Sequence, residues 1–469
     1  MRQAMRQATG GNPTTAAALA SGLLLVSFLG VELALHAPIA KAIPAFAGQT
    51  GLPCAACHAG FPQLTPTGRM FKLNGYVLGK PAPTFKNFAV MFQPGYTVLG
   101  KGVPGGVSNG FNENYNFDVQ QTSLFYGGAL VQSIGLGAFV QATYDDDQKQ
   151  IHWDNTDIRL ARTATIGGKS LVYGVTFNNN PSVTDLWNTT PAWGYPFFGS
   201  ELGEAPGAKP LISGAFAQTV YGVGAYADWN NLIYAEFDLY KSLPNATGDA
   251  LGVGATSSGH SIDGVAPYWR VAVEKNWGRN SWEVGTFGLY ASVYPTYPAT
   301  GISPATDQYT DIGLDSQYQF MGQDNIVTLG ATYIHEDQNL GSSFSQGLSA
   351  NSHDTLDSFQ VTAQELYKQT VGGTLSYFKT WGSTDTGLYA PAPISGSTKG
   401  TPNSSGITAE LDYYPFNNGG PKFLPWFNVK FAVQYTYFLQ FNGGNHNYDG
   451  FGRNATDNNQ IFLGAWILF

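Results

Sequence analysis

The feature that most constrains this chain is a side-chain alternation of period two that recurs throughout the sequence beyond residue 85. Ile233, Ala235, Phe237 and Leu239 alternate with Tyr234, Glu236, Asp238 and Tyr240. Val271, Val273 and Trp277 share one face, and Arg270, Glu274 and Asn276 share the other. Ile407, Ala409, Leu411 and Tyr413 alternate with Thr408, Glu410, Asp412 and Tyr414. Val429, Phe431, Val433, Tyr435 and Tyr437 oppose Asn428, Lys430, Gln434 and Thr436. Successive side chains of a strand point to opposite faces, so each run is a strand with one apolar and one polar face.

The pattern predicts sixteen strands: 87–99, 114–127, 133–145, 155–165, 168–179, 211–229, 231–241, 266–277, 279–291, 307–320, 324–337, 356–367, 369–381, 404–415, 427–440 and 459–469. The gaps between them alternate in length. Asn230, Gly278-Arg279-Asn280 and Lys368 are short, whereas 180–210, 242–265, 338–355 and 441–458 are long and rich in Gly, Asn, Ser, Thr and Pro. The gap at 416–426 is of middling length. Alternating short turns and long loops are expected of a 16-stranded antiparallel transmembrane β-barrel in the outer membrane, spanning 85–469 with its short turns in the periplasm. An even strand count returns both ends of the barrel to that side. The terminal run Ile461 to Phe469 is too apolar for an open edge in water and is expected to be paired in a closed barrel. Charged residues make up only 12% of the chain, against about 25% in ordinary soluble domains. No apolar run of helix-spanning length lies beyond the N-terminus. A β-propeller would repeat every ~40–50 residues, and no such repeat is present.

With the apolar rows facing lipid, Asp118, Glu236, Asp238, Glu274, Asp311, Asp315, Glu410 and Asp412 are expected in the lumen, against Arg270 and Lys430. This acidic excess would either concentrate cations or be absorbed by internal salt bridges of ordinary porin type.

Residues 1–42 read as a signal peptide, with Arg2 and Arg6 before the apolar stretch of Leu23 to Leu35 and a small-x-small site at Ala40-Lys41-Ala42. Removing Arg2, Arg6, Lys41 and Glu32 from 23 basic and 32 acidic residues leaves 20 against 31, a mature balance of −11. An acidic exported chain is a poor nucleic-acid binder.

Between signal and barrel, residues 43–84 hold the chain's two cysteines in Pro53-Cys54-Ala55-Ala56-Cys57-His58, a C-x-x-C-H motif. Two thiols three residues apart can reach two vinyl groups on one porphyrin edge, and the adjacent imidazole can face the iron, so the spacing reads as one covalently attached c-type haem. A redox C-x-x-C, a structural disulfide and half a zinc site are the competing readings; zinc would need two further ligands nearby. His58 is the expected proximal ligand. For the distal side Met91 is preferred to Met70, and a thioether would raise the reduction potential relative to imidazole. His152, His260, His335, His353 and His446 are the other possibilities. The densest acidic run, Asp145-Asp146-Asp147, falls in an expected outer loop. About forty residues rarely bury a core, so the haem segment is expected to sit in or against the barrel.

The stretch Pro53 to His58, followed by Phe61-Pro62-Gln63-Leu64 and Gly68-Arg69-Met70-Phe71-Lys72-Leu73-Asn74-Gly75-Tyr76, resembles the fused outer-membrane monohaem cytochrome–porins of iron-oxidising bacteria. The barrel pattern and the ending from Gly452-Arg453-Asn454-Ala455-Thr456-Asp457 to Phe469 extend the resemblance over the mature chain. It implies an Fe(II)-oxidising oxidoreductase that takes one electron from extracellular Fe(II) and relays it to a periplasmic cytochrome or copper protein. The motif specifies the haem and not the donor. A conduit for another extracellular donor or acceptor, or a porin with a structural haem, stays open on the residues alone.

Overall fold

A computed structural model describes residues 44–79, 87–107, 110–146, 149–254, 261–295, 305–424 and 426–469. The signal peptide predicted for 1–42 lies outside them. Seventeen strands form one sheet. The first half comprises β1 (Phe88–Leu99), β2 (Asn116–Val131), β3 (Leu136–Asp145), β4 (Gln150–Ile166), β5 (Lys169–Asn178), β6 (Val220–Trp229), β7 (Ile233–Ser242) and β8 (Ser261–Ile262). The second comprises β9 (Ala266–Trp277), β10 (Asn280–Tyr294), β11 (Asp307–Met321), β12 (Asn325–Asn339), β13 (His353–Tyr367), β14 (Val371–Gly382), β15 (Ser404–Tyr413), β16 (Asn428–Gln440) and β17 (Gln460–Leu468). The two-residue β8 only supplements the rim beside β10. The other sixteen pair antiparallel with their sequence neighbours, and β17 pairs with β1, so the barrel is closed. Phe469 completes the seam by exchanging backbone hydrogen bonds with Val90.

The alternation maps onto the wall as expected. Along β7 Ile233, Phe237 and Leu239 are exposed while Tyr234, Glu236, Asp238 and Tyr240 are buried. Val271, Val273, Ile312, Leu314, Leu375 and Leu411 continue the apolar outer face. A closed barrel leaves no unpaired backbone edge, which with an apolar outer belt and a polar lumen is the architecture of an outer-membrane barrel. Pro94 cannot donate to the β1–β2 ladder, and the register shifts at Gln93/Pro94. The tight turns sit at one end of the barrel. Gly167-Gly168, Asn230-Asn231 and Lys368-Gln369 all take positive φ, as two-residue hairpin turns of type I′ require.

One expectation is corrected. The strand predicted for 211–229 begins only at Val220, and the predicted outer loop 180–210 runs with 211–219 into the barrel. Leu211, Ile212 and Phe216 pack under Tyr240, Tyr268 and Phe287 of the wall, and Val183, Leu186 and Trp187 are fully covered. Arg270 fixes this inner loop to the wall: its guanidinium lies 2.7 Å from Asp315, 3.3 Å from Glu283 and 3.4 Å from Asp185 of the loop. Burial alone would raise Asp185, but Arg270 and the backbone N–H groups of Trp187 and Thr190 hold its carboxyl below the usual carboxylate range.

The long loops at the opposite end lock together through carboxylates. Asp385 accepts from the backbone N–H groups of Ala350, Asn351, Gly387 and Leu388. Asp449 accepts from Ile394, Phe451 and Arg453. Against the opposing effect of burial, these donors hold both carboxyls below their ordinary value.

Two predictions follow from these contacts. Arg270→Ala leaves buried carboxylates without their partner and is expected to cost about 3–5 kcal/mol, read as a lower unfolding midpoint of the purified barrel, while the exposed Lys169→Ala leaves the midpoint unchanged. A depressed folded-state pKa contributes stability that is present above the unfolded value and lost as pH falls through the folded one. Pepsin should therefore spare loops 383–403 and 441–459 at pH 3.8 and cleave them only further into acid, whereas Asp385→Asn opens the first loop already at pH 3.8; equal cleavage of both proteins there would contradict the assignment.

Candidate functional site

Residues 44–79 lie inside the barrel at the short-turn end, as three short helices: α1 (Pro44–Thr50), α2 (Cys54–Cys57) and α3 (Pro66–Leu73). Thr65 caps α3 by accepting from Gly68 N–H, and Pro66 occupies its first turn, where its missing donor costs nothing. Gly68 lies so close to α2 that a Cβ there would meet the Cys57 carbonyl oxygen at 2.2 Å. The wall fixes the segment at several points. Arg69 donates to Gln319 and to Glu274, both at 2.8 Å, and to Ser281 at 2.7 Å. Tyr76 donates to Asp157 at 2.6 Å, and Tyr226 donates to the Leu73 carbonyl at 2.9 Å. Phe61 packs edge-on against Tyr414 and Trp466.

Cys54 is buried against Ala47 and Trp426, and its sulfur accepts from Asn428 Nδ2 at 3.1 Å. Cys57, one helical turn on, is half-buried. The two cysteines form no disulfide. Burial pushes the Cys57 thiol up to about 11, which is unlike the low-pKa thiolate of a redox-exchange C-x-x-C. His58 Nδ1 lies 3.1 Å from the Pro62 carbonyl. That carbonyl can only accept, so the proton sits on Nδ1 and the Nε2 lone pair is left for a metal. Burial pushes the imidazole down to about 4, opposed by the Pro62 and Gln63 backbone, and the neutral, ligating form prevails.

These side chains line one cavity of about 610 Å³, within the ~300–1,000 Å³ usual for cofactor sites. Ten aromatic side chains line it, Phe46, Phe61, Phe71, Phe125, Trp193 and Trp466 among them. Met91, on β1, lines the same cavity; it is buried, and its sulfur accepts from Gln93 at 3.3 Å. Met70 is 43% exposed and lies elsewhere. Among the described residues no histidine other than His58 lines the cavity. His335 faces outward beside Asp357, His353 lies beside Asp337, His446 is in an exposed loop, His152 sits on β4, and His260 lies outside the described residues. A donor set of two thiols and one tautomer-fixed imidazole, opening on an apolar, aromatic-walled cavity, fits a covalently held porphyrin.

Sequence reasoning missed the other half of the cavity, which the inner loop supplies through Asn188, Trp193, Phe197 and Phe198. It also missed Lys72, the cavity's one basic side chain besides His58 among the described residues. Its ammonium donates to the Val183 and Asp185 carbonyls at 2.7 Å and lies 5.1 Å from the Trp193 ring centre, so it ties α3 to the loop. A lysine in a short helix carries no sequence signal of such burial.

The expected lumen acids do face inward, and half of them, Glu274, Asp315, Glu410 and Asp412, are ion-paired within the protein. Lys430 lies 2.7 Å from Glu410 and 3.1 Å from Asp412, Arg69 holds Glu274, and Arg159 holds Asp157 at 2.8 Å. Asp154 and Glu201 are the carboxylates that line the cavity. Of the run Asp145-Asp146-Asp147, Asp145 ends β3 and is buried, and Asp147 lies outside the described residues. Among the described residues no three His, Cys, Asp or Glu side chains converge as a metal site.

No family model and no curated protein matches the chain. Similar solved structures include an anion-selective porin from Comamonas acidovorans, at 10% identity and TM-score 0.44, covering 81% of this chain and 98% of that one. OmpF of Salmonella typhi, solved with daunomycin, shows 13% identity and TM-score 0.43 over 81% and 97% of the two chains. OmpT of Vibrio cholerae shows 10% identity and TM-score 0.39 over 81% and 97%.

Proposed function

We propose that this chain is a one-electron relay of the outer membrane, an oxidoreductase that takes an electron from extracellular Fe(II) and passes it to a carrier in the periplasm. The supporting observation is that Cys54, Cys57, His58 and Met91 meet at one cavity enclosed in the lumen of a closed barrel. Cys54 and Cys57 would hold a c-type haem through thioethers, with His58 as its proximal ligand and Met91 as its distal one. The haem, when bound, supplies a couple that takes and gives single electrons.

The chain's own residues do the rest. The Pro62 carbonyl fixes the tautomer and orientation of His58. Phe61, Phe71 and Trp466 give the cavity an apolar wall. The short-turn end is taken as periplasmic, as in other barrels of this kind, so that Fe(II) arrives from the long-loop side. Occupation of the lumen by residues 44–79 and the inner loop favours electron transfer over solute diffusion.

Rapid mixing of the purified, haem-loaded chain with Fe(II) tests the reading. At the organism's working pH one Fe(II) should be oxidised per haem reduced, and Cys54→Ala should lose attached haem and redox activity while the barrel still folds. A chain that dithionite reduces and Fe(II) does not would sink the Fe(II) assignment. Met91→Ala should abolish the far-red thioether-to-iron band of the oxidised protein and lower its potential; an unchanged spectrum would exclude Met91 as the distal ligand.

A further inference from the structure

The turn between Tyr413 and Asn428 is the longest at the short-turn end, where the other connections are tight hairpins. It is built against the C-x-x-C helix. Ala55 N–H donates to the Asn417 carbonyl at 3.2 Å, Asn417 Nδ2 donates to Gln369 at 3.1 Å, and Asn428 Nδ2 reaches Cys54 Sγ at 3.1 Å. Trp426 packs on Ala47 and Cys54, and Phe416 packs edge-on against Phe427 at 5.3 Å. The outer side of this anchored turn is apolar. Phe423 is 77% exposed, more than any other large apolar side chain among the described residues, and Leu424 beside it is 40% exposed. Leu52, two residues before Cys54, is also exposed. The turn lies beyond the ends of β15 and β16, at the short-turn end of the barrel.

Charge separates this end from the rest of the molecule. Within five residues of the short turns, Arg162, Lys169, Lys275, Arg279, Lys368 and Lys422 are exposed, against Asp324 and Glu365. The chain as a whole carries −9. Lys422 beside Phe423, and Lys368 of the next turn, whose carbonyl accepts from Asn418, put basic charge next to an exposed aromatic continuous with the buried cysteines, the anatomy of a steered docking surface: the charge raises the encounter rate, and the apolar centre is desolvated on contact.

We infer that the Tyr413–Asn428 turn, centred on Phe423 and Lys422, is the electron-exit surface, and that its partner is a small one-electron carrier with an acidic rim around its own cofactor edge. The inference rests on the proposed relay. One electron leaves the reduced chain and reduces the carrier, and no bond forms or breaks.

The test uses the full haem-loaded chain in nanodiscs, reduced by dithionite so that the outcome does not depend on Fe(II) as donor. The probes are a lysine-rich basic cytochrome c and the same protein with its lysines succinylated, which makes it acidic. At low salt the acidic probe should be reduced on the order of tenfold faster than the basic one, with the advantage fading as salt rises. Lys422→Glu with Lys368→Glu should remove that advantage, and Phe423→Ser should slow the acidic probe several-fold, with the haem potential and the rate of reduction by Fe(II) unchanged. Equal rates for the two probes, or variants that leave the acidic probe's rate unaltered, would overturn the assignment. So would substitutions whose only effect is weaker binding to phosphatidylglycerol vesicles, which would make these lysines a lipid-headgroup contact. Failure of Fe(II) to reduce the chain would count against the proposed donor and leave this result standing.

Discussion

A closed ring of sixteen strands encloses more space than its own inward side chains can fill, and that vacancy governs the rest of the structure. Two segments fill it. Residues 44–79 enter at the short-turn end, and 179–219 fold in from the opposite side. Both must bring polar backbone into a buried place, so the lumen is a network of charge-assisted contacts. Arg69 reaches out from the N-terminal segment to Glu274, Ser281 and Gln319, and Arg270 reaches in from the wall to Asp185. Lys72 joins the two inserts to each other. The cavity is the space left where they meet, and its shape depends on both.

The wall was legible because its cause is local. Lipid on one side and a polar lumen on the other force an alternation that any sixteen-stranded solution must carry, and the range predicted for β9, 266–277, coincides with the strand. The inner loop was not legible, because Gly-, Asn- and Pro-rich stretches read as solvent loops whether they point out or in. Leu211, Ile212 and Phe216 suggested an early start to β6; their apolar character comes from packing beneath Tyr240 and Tyr268. The site divides in the same way. Cys54, Cys57 and His58 could be singled out because the C-x-x-C-H spacing is a property of five consecutive residues. Asn428 on the Cys54 sulfur, Lys72 beneath Trp193 and the Pro62 carbonyl behind His58 depend on contacts between segments or on a local turn, and no spacing announces them.

The two methionines show what tertiary structure adds. Met70 stands near the motif in sequence and on a helix of the same segment, yet its side chain is directed away from the cavity. Met91 is farther along the chain, but β1 pairs with β17, and the cluster of Ala59, Phe61, Leu468 and Tyr414 closes around it. Met91, which the sequence reading prefers, lines the cavity, and Met70, nearer in sequence, does not.

Pairing of the lumen acids also bears on the proposed chemistry. Carboxylate oxygens are hard ligands, and their attraction grows with the charge of the metal, so a lumen of unpaired acids would retain Fe(III) after the electron had left. Arg270, Lys430, Arg69 and Arg159 take up Asp315, Glu283, Glu410, Asp412, Glu274 and Asp157 of the wall, and the cavity presents Asp154 and Glu201. Asp154 is already committed to Thr143 at 2.7 Å and Gln218 at 2.9 Å. A lumen of this kind suits an outer-sphere exchange, in which the metal gives up its electron near the cavity without being stored there. The function proposed for the cavity therefore requires no dedicated iron site in the wall.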